Sequence, residues 1–204
     1  MKMLLASNGQ FLIEEGYKLL GIPTNKIRIG YITTASKGAS NNEYIKIHKK
    51  IMREQKLSFQ EIDIENKSEN ELRKFFSDKN IIHMEGGDTY YLLKVIKKTR
   101  FSEIIKELLQ RGVIYVGTSA GSSIIGPTIE FSSHIPKEAT NEELKSLNLV
   151  PFLVKSHYTD SKEVEYKERT KTIKYPIKFL RDGQGILVED KKYTFVGKGA
   201  EVKL

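Results

Sequence analysis

The chain has 204 residues, 39% of them hydrophobic and 29% charged, a length and balance that fit one soluble globular domain and exclude extended disorder. It contains no cysteine, which excludes disulfides, thiolate nucleophiles and thiolate metal sites. The net charge is +8, from 34 Lys and Arg against 26 Asp and Glu, but the lysines are scattered among glutamates with no run of five like charges, so a solvated basic surface is expected rather than a nucleic-acid face.

Met3–Ala6 opens the chain as a short strand. An apolar run of this length falls short of the roughly 7–15 residues of a signal-peptide core, and no stretch approaches the roughly 18 apolar residues of a membrane span. A cytoplasmic protein without a membrane partner is the expectation. Phe11–Leu20 has helical spacing. Ile27–Thr33 reads as a second strand, bounded by Pro23-Thr24-Asn25 and a Ser/Gly-rich turn. Asn41–Leu57 carries apolar residues at Tyr44, Ile45, Ile47, Ile51 and Met52 with charge between them, the pattern of a surface helix. Phe59–Ile64 alternates like a half-buried strand, and Ile81–Met84 is a short buried strand ending at Glu85-Gly86-Gly87-Asp88. Asp88 or Thr89 can cap a helix over Tyr90–Lys98, and Phe101–Arg111 forms another. Val113–Val116 is a strand that runs directly into Gly117-Thr118-Ser119-Ala120-Gly121. Beyond it Pro127–Asn148 is irregular, Leu153–His157 is a strand and Ser161–Lys174 a charged helix. Gly185–Val188 and Tyr193–Gly197 make a closing hairpin.

Strand and helix alternate through the first 120 residues. That order predicts an α/β fold with a mostly parallel sheet covered by helices on both faces. Without internal repeats or a linker, residues 1–204 are expected to form one domain.

Gly117-Thr118-Ser119-Ala120-Gly121 fits G-x-S-x-G. A nucleophile on a sharp strand-to-helix turn projects its Oγ from the sheet edge, and flanking glycines let the backbone fold that tightly. The helix start also offers backbone N–H groups to a developing oxyanion. Gly86-Gly87 ends another strand and lets the backbone approach a ligand, so the N–H groups of Gly87 and Ala120 are candidate oxyanion donors. Both lie at carboxyl ends of strands, where open parallel sheets bind ligands.

A serine nucleophile needs a base. Of the four histidines, His48 sits on a lysine-rich helix face and is expected to be solvated. His83 lies within a strand and is expected to be an interior, hydrogen-bonded residue. His134 is in the irregular segment, which could fold over the site. His157 follows an apolar strand, a position like that of Ser119, and is the first choice. A carboxylate would hold its imidazole in the right tautomer. Asp182, at a turn before the closing strands, is preferred, with Asp160 and Glu189 as alternatives.

Together these segments resemble a known family. Leu5–Gly9, Glu85–Leu93, Val116–Ser122, Leu147–Pro151 leading to His157-Tyr158, and Leu180–Gly183 are similar in kind and order to peptidase E, the dipeptidase E and cyanophycinase-like serine peptidases. The resemblance implies a three-layer α/β sandwich similar to class I glutamine amidotransferases. It implies Ser119, His157 and Asp182 as the catalytic residues, Gly87 and Ala120 as oxyanion donors, and cytoplasmic exopeptidase activity on short peptides, Asp-X dipeptides among them, without metal or cofactor. In aspartate-specific members an arginine downstream of the histidine pairs with the acidic side chain. This chain is several residues shorter there; aligned on Arg169 it has Tyr166 at that place, and Arg169 takes the role if the gap is set differently. The implied partner is a small peptide, the implied assembly a monomer or small homo-oligomer. Hydrolysis of another small ester or amide, and a degenerate binding protein of the same fold, are the competing readings.

Overall fold

The computed structural model describes residues 1–39 and 41–204; Ser40, in the Ser/Gly-rich turn, lies outside them. Its strands in chain order are β1 (Lys2–Ala6), β2 (Arg28–Ile32), β3 (Ser58–Ile62), β4 (Ile81–Met84), β5 (Ile114–Thr118), β6 (Leu153–Lys155), β7 (Ile177–Phe179), β8 (Gln184–Glu189) and β9 (Lys192–Gly197). Seven of them form one sheet in the order β3-β2-β4-β5-β1-β8-β9, while β6 and β7 pair separately. The first five strands in that order run parallel. The hairpin of β8 and β9 then continues the sheet in the antiparallel sense, with Leu5 opposite Ile186 and Ile186 opposite Phe195.

Alternating side chains along each strand feed two separate cores. Met3 and Leu5 of β1, with Ile82 and Met84 of β4, pack into one core. It takes in the buried faces of α3 (Glu69–Phe76), α4 (Thr89–Lys98) and α5 (Phe101–Gln110), reached after α1 (Gly9–Glu14) and α2 (Glu43–Glu54) in the chain. Leu4, Ala6, Ile29 and Tyr31 point the other way, onto Phe11 and Leu12 of α1 and Ile45 and Met52 of α2. Helices therefore cover both faces of a mostly parallel sheet, the three-layer α/β sandwich expected. Three shorter elements follow: α6 (Ala120–Ser123), α7 (Asn141–Leu144) and α8 (Glu163–Thr170).

Three elements differ from the sequence reading. The helix expected over Phe11–Leu20 is broken: α1 ends at Glu14, and a 3₁₀ turn runs over Gly16–Leu20, Gly16 being a poor residue for a helix interior. The segment between β3 and β4, left without an element, holds α3. Its signal was Ser68-Glu69-Asn70-Glu71, for Ser68 Oγ accepts from the Glu71 N–H while the Glu71 carboxylate accepts from the Ser68 N–H, and Leu72 and Phe76 form its buried stripe. Strand β7 was also missed. It pairs in parallel with β6, Leu153 opposite Ile177, over an aromatic cluster of Phe131, Tyr158, Tyr166 and Phe179. Among the described residues no helix is long and apolar enough to cross a membrane.

Candidate active site

Strand β5 delivers Ser119 at its carboxyl end, and the chain reverses there into α6. Ser119 has φ 47° and ψ −104°, a conformation that non-glycine residues avoid and that persists only where surroundings impose it. The surroundings are tight. A Cβ on Gly121 would sit 2.1 Å from the Met84 carbonyl oxygen, so the turn packs directly against β4 only because position 121 is glycine. The Ser119 N–H is held by the Ala6 carbonyl at 3.0 Å, fixing the turn to the central strand.

His157 follows β6 and also has positive φ, 58°. Its Nε2 lies 3.1 Å from Ser119 Oγ and its Nδ1 2.7 Å from Asp182 Oδ1. An ionised carboxylate only accepts, so Nδ1 carries the proton and Nε2 is left to accept from the serine hydroxyl. The hydrogen bond from His157 holds the Asp182 carboxyl below its ordinary value, against the opposing effect of burial. Ser7, buried at the end of β1, ties this arrangement together: its hydroxyl donates to Asp182 Oδ1 at 2.9 Å and accepts from the His157 N–H at 2.9 Å. Asn8 Oδ1 accepts from the Gly183 N–H at 3.3 Å. Nothing in the spacing of Ser7 along the sequence announces this task.

Gly87 has φ 141°, and a Cβ there would fall 2.2 Å from the Ala35 carbonyl oxygen. Among the described residues neither the Gly87 nor the Ala120 N–H has a protein acceptor. Gly87 lines a cavity of about 790 Å³ that opens onto Ser119 and His157, and Ala120 follows Ser119 directly.

The other candidates separate clearly. Asp160 pairs with Arg181, and Glu189 with Lys2 at 3.2 Å, so neither reaches His157. His134 is exposed and lines the same cavity, so the irregular segment does reach the site. Tyr166 and Arg169 do not. Tyr166 is buried in the aromatic cluster, stacked on Phe179 at 5.5 Å, and the Arg169 guanidinium lies 4.3 Å from the Phe131 ring centre. Both pack in this aromatic layer, and neither lines the cavity.

His48 corrects an expectation. It is not solvated: it is 8% exposed, because Ile45, His48 and Met52 form the inward stripe of α2 despite the lysines on either side. Its Nδ1 lies 2.8 Å from Oε2 of Glu85, a residue to which sequence reasoning assigned no role. Glu85 is itself buried. It accepts from the Tyr31 hydroxyl at 2.6 Å, from the Gly86 N–H at 2.7 Å and from the Thr118 hydroxyl. Burial acts to raise its carboxyl, but the hydrogen bonds and neighbouring imidazoles win and hold it well below the usual range. A charged residue directly after an apolar strand and just before two glycines is the available signal. His83 is interior, as expected, and bonded to the Tyr17 hydroxyl at 2.8 Å.

Burial lowers His83 from an ordinary 6.5 to about 4, outweighing the opposing charge of Glu85. Folded His83 therefore stays neutral through a range where the unfolded chain takes up a proton. Stability is expected to fall as pH drops from about 6.5 to about 4, by up to about 3 kcal/mol from this residue. Urea midpoints measured across that range should decline in the native chain and decline less in His83→Gln; parallel curves would refute the assignment.

Known proteins resemble this chain along nearly its whole length. The model of peptidase family S51 matches residues 3–196. The uncharacterized peptidase PM1590 of Pasteurella multocida is 28% identical over 196 residues, covering 93% of this chain and 94% of that one. A probable alpha-aspartyl dipeptidase of Drosophila melanogaster is 31% identical over 127 residues, covering 57% of this chain and 52% of its own. The crystal structure of a protein described as a putative peptidase E from Listeria monocytogenes superposes with a TM-score of 0.81 at 26% identity, over 97% of this chain and 98% of that one. A strand-end serine in such a sheet, with a family match running almost from end to end, leads to one conclusion: this chain belongs to peptidase family S51 and is a serine-type peptidase.

Proposed function

We propose that the protein is a serine exopeptidase of short peptides, dipeptides foremost, working through Ser119, His157 and Asp182. His157 Nε2 takes the Ser119 proton as Oγ attacks the peptide carbonyl. Asp182 keeps the proton on Nδ1 and stabilises the imidazolium that forms. The oxyanion is received by the Gly87 and Ala120 N–H groups, each donor of this kind being worth roughly 10²–10³ in rate. His157 then returns the proton to the leaving amine, the peptide C–N bond breaks, and water activated by the same imidazole hydrolyses the acyl-enzyme. The observation that carries this reading is the continuous hydrogen-bond chain from Ser119 Oγ through His157 to Asp182.

Support for dipeptides comes from the name of the Drosophila relative, a probable alpha-aspartyl dipeptidase. A preference for an N-terminal aspartate lacks a cation to carry it, since among the described residues no Lys or Arg lines the cavity. A fluorophosphonate probe is expected to label the native protein at Ser119 and to lose more than nine-tenths of that labelling in His157→Ala. Equal labelling of the two would remove the base from the mechanism, and no labelling of either would favour a degenerate binding protein.

A further inference from the structure

The floor of the cavity holds a group that the proposed hydrolysis does not use. His48 lines the cavity together with Ser119 and His157, and its ring lies against the backbone of α1, where a Cβ on Gly9 would sit 2.2 Å from Cε1. Glu85 takes the Nδ1 side of the ring at 2.8 Å. Ionised and already accepting from Tyr31, Gly86 and Thr118, Glu85 can only accept, which places the neutral ring's proton on Nδ1 and its lone pair on Nε2. Among the described residues Nε2 has no hydrogen-bond partner, and it is not sealed from solvent. A carboxylate behind an imidazole makes the outer nitrogen a stronger acceptor.

We propose that His48, backed by Glu85, receives the free α-ammonium group of the substrate's first residue, and that the cavity takes peptides whose first side chain is not acidic. This rests on the exopeptidase reading and names the substrate class for it. The ammonium nitrogen of a first residue is only about 2.5 Å from the carbonyl carbon under attack, so its subsite has to adjoin the nucleophile. Glu85 meets that demand, and His48 is bonded to it and lines the same cavity as Ser119. Glu85 bonds Thr118, the residue before Ser119, and a Cβ on its neighbour Gly86 would lie 3.2 Å from Ser119 Cβ. Charge points the same way. Half-buried Asp88 lines the cavity with Glu85, and among the described lining residues no Lys or Arg is present. A substrate carboxylate would be desolvated there without a partner, whereas an ammonium meets an acceptor it can donate to.

The test uses binding by calorimetry to Ser119→Ala protein, which cannot turn the ligand over. Ala-Leu is expected to bind at least 10-fold tighter than N-acetyl-Ala-Leu and at least 10-fold tighter than Asp-Leu. Adding His48→Leu, or His48→Asn should the first variant fold poorly, is expected to shrink the acetylation penalty below 3-fold. Equal binding of the acetylated peptide or of Asp-Leu, failure of Ala-Leu to bind, or a penalty that survives both His48 variants would overturn the proposal. Fluorophosphonate labelling of the native protein keeps the two readings apart. Labelled protein indifferent to acetylation sinks the subsite alone, and unlabelled protein that still prefers the free amine sinks the hydrolysis alone.

Discussion

Replacing Ser119 by alanine is expected to lower kcat for dipeptide turnover by roughly 10⁴–10⁶, with His157→Ala close behind and the double variant no worse than either single one. Non-additivity is the informative part. Ser119 and His157 are joined at 3.1 Å and His157 to Asp182 at 2.7 Å, so under the proposed mechanism they act as one unit and the loss of any member disables the rest. Asp182→Asn should cost about 10⁴ by favouring the wrong tautomer. Steady-state kinetics on one dipeptide across the four variants would decide it. Multiplying penalties in the double variant, or turnover of Ser119→Ala within 10-fold of the native rate, would put the nucleophile elsewhere.

The largest effect on stability is expected at Glu85. Glu85→Ala removes the acceptor shared by His48, Tyr31, Thr118 and the Gly86 N–H. These groups would be left buried without a partner, at a cost of about 3–5 kcal/mol. Glu85→Gln keeps one oxygen but turns an NH₂ toward donors, and should fall between Ala and the native residue. Urea denaturation would order the three, and an alanine variant within about 0.5 kcal/mol of native would mean that water replaces the carboxylate. Turnover should fall as well, because Thr118 precedes the strained serine and loses its anchor.

Much of this site could be read from residue order. Ser119, His157 and Asp182 each stand where a strand ends or a turn begins, and short apolar runs separated by periodic helices specify the sheet that brings strand ends together. What escaped notice depended on contacts between distant elements. Ser7 lies 150 positions from His157 and 175 from Asp182 and bridges the two, which no local pattern encodes. His48 was misjudged by its neighbours Lys46, Lys49 and Lys50, although its spacing from Ile45 and Met52 put it on the buried stripe of α2. Tyr166 and Arg169 were placed by analogy along the chain, and packing overrode it: Tyr166, the buried residue of α8, turns inward onto Phe131 and Phe179.

The proposed nucleophile and base follow strands of different sheets. Ser119 grows out of the seven-stranded sheet, while His157 is suspended from the two-stranded one, secured by Tyr158 N–H to the Leu180 carbonyl at 3.0 Å and by a small aromatic stack beneath. Warmth that loosens only the lesser unit would part the proton acceptor from its hydroxyl while the main sheet stood intact. Under the proposed mechanism, activity is then expected to fade at a lower temperature than the main sheet unfolds.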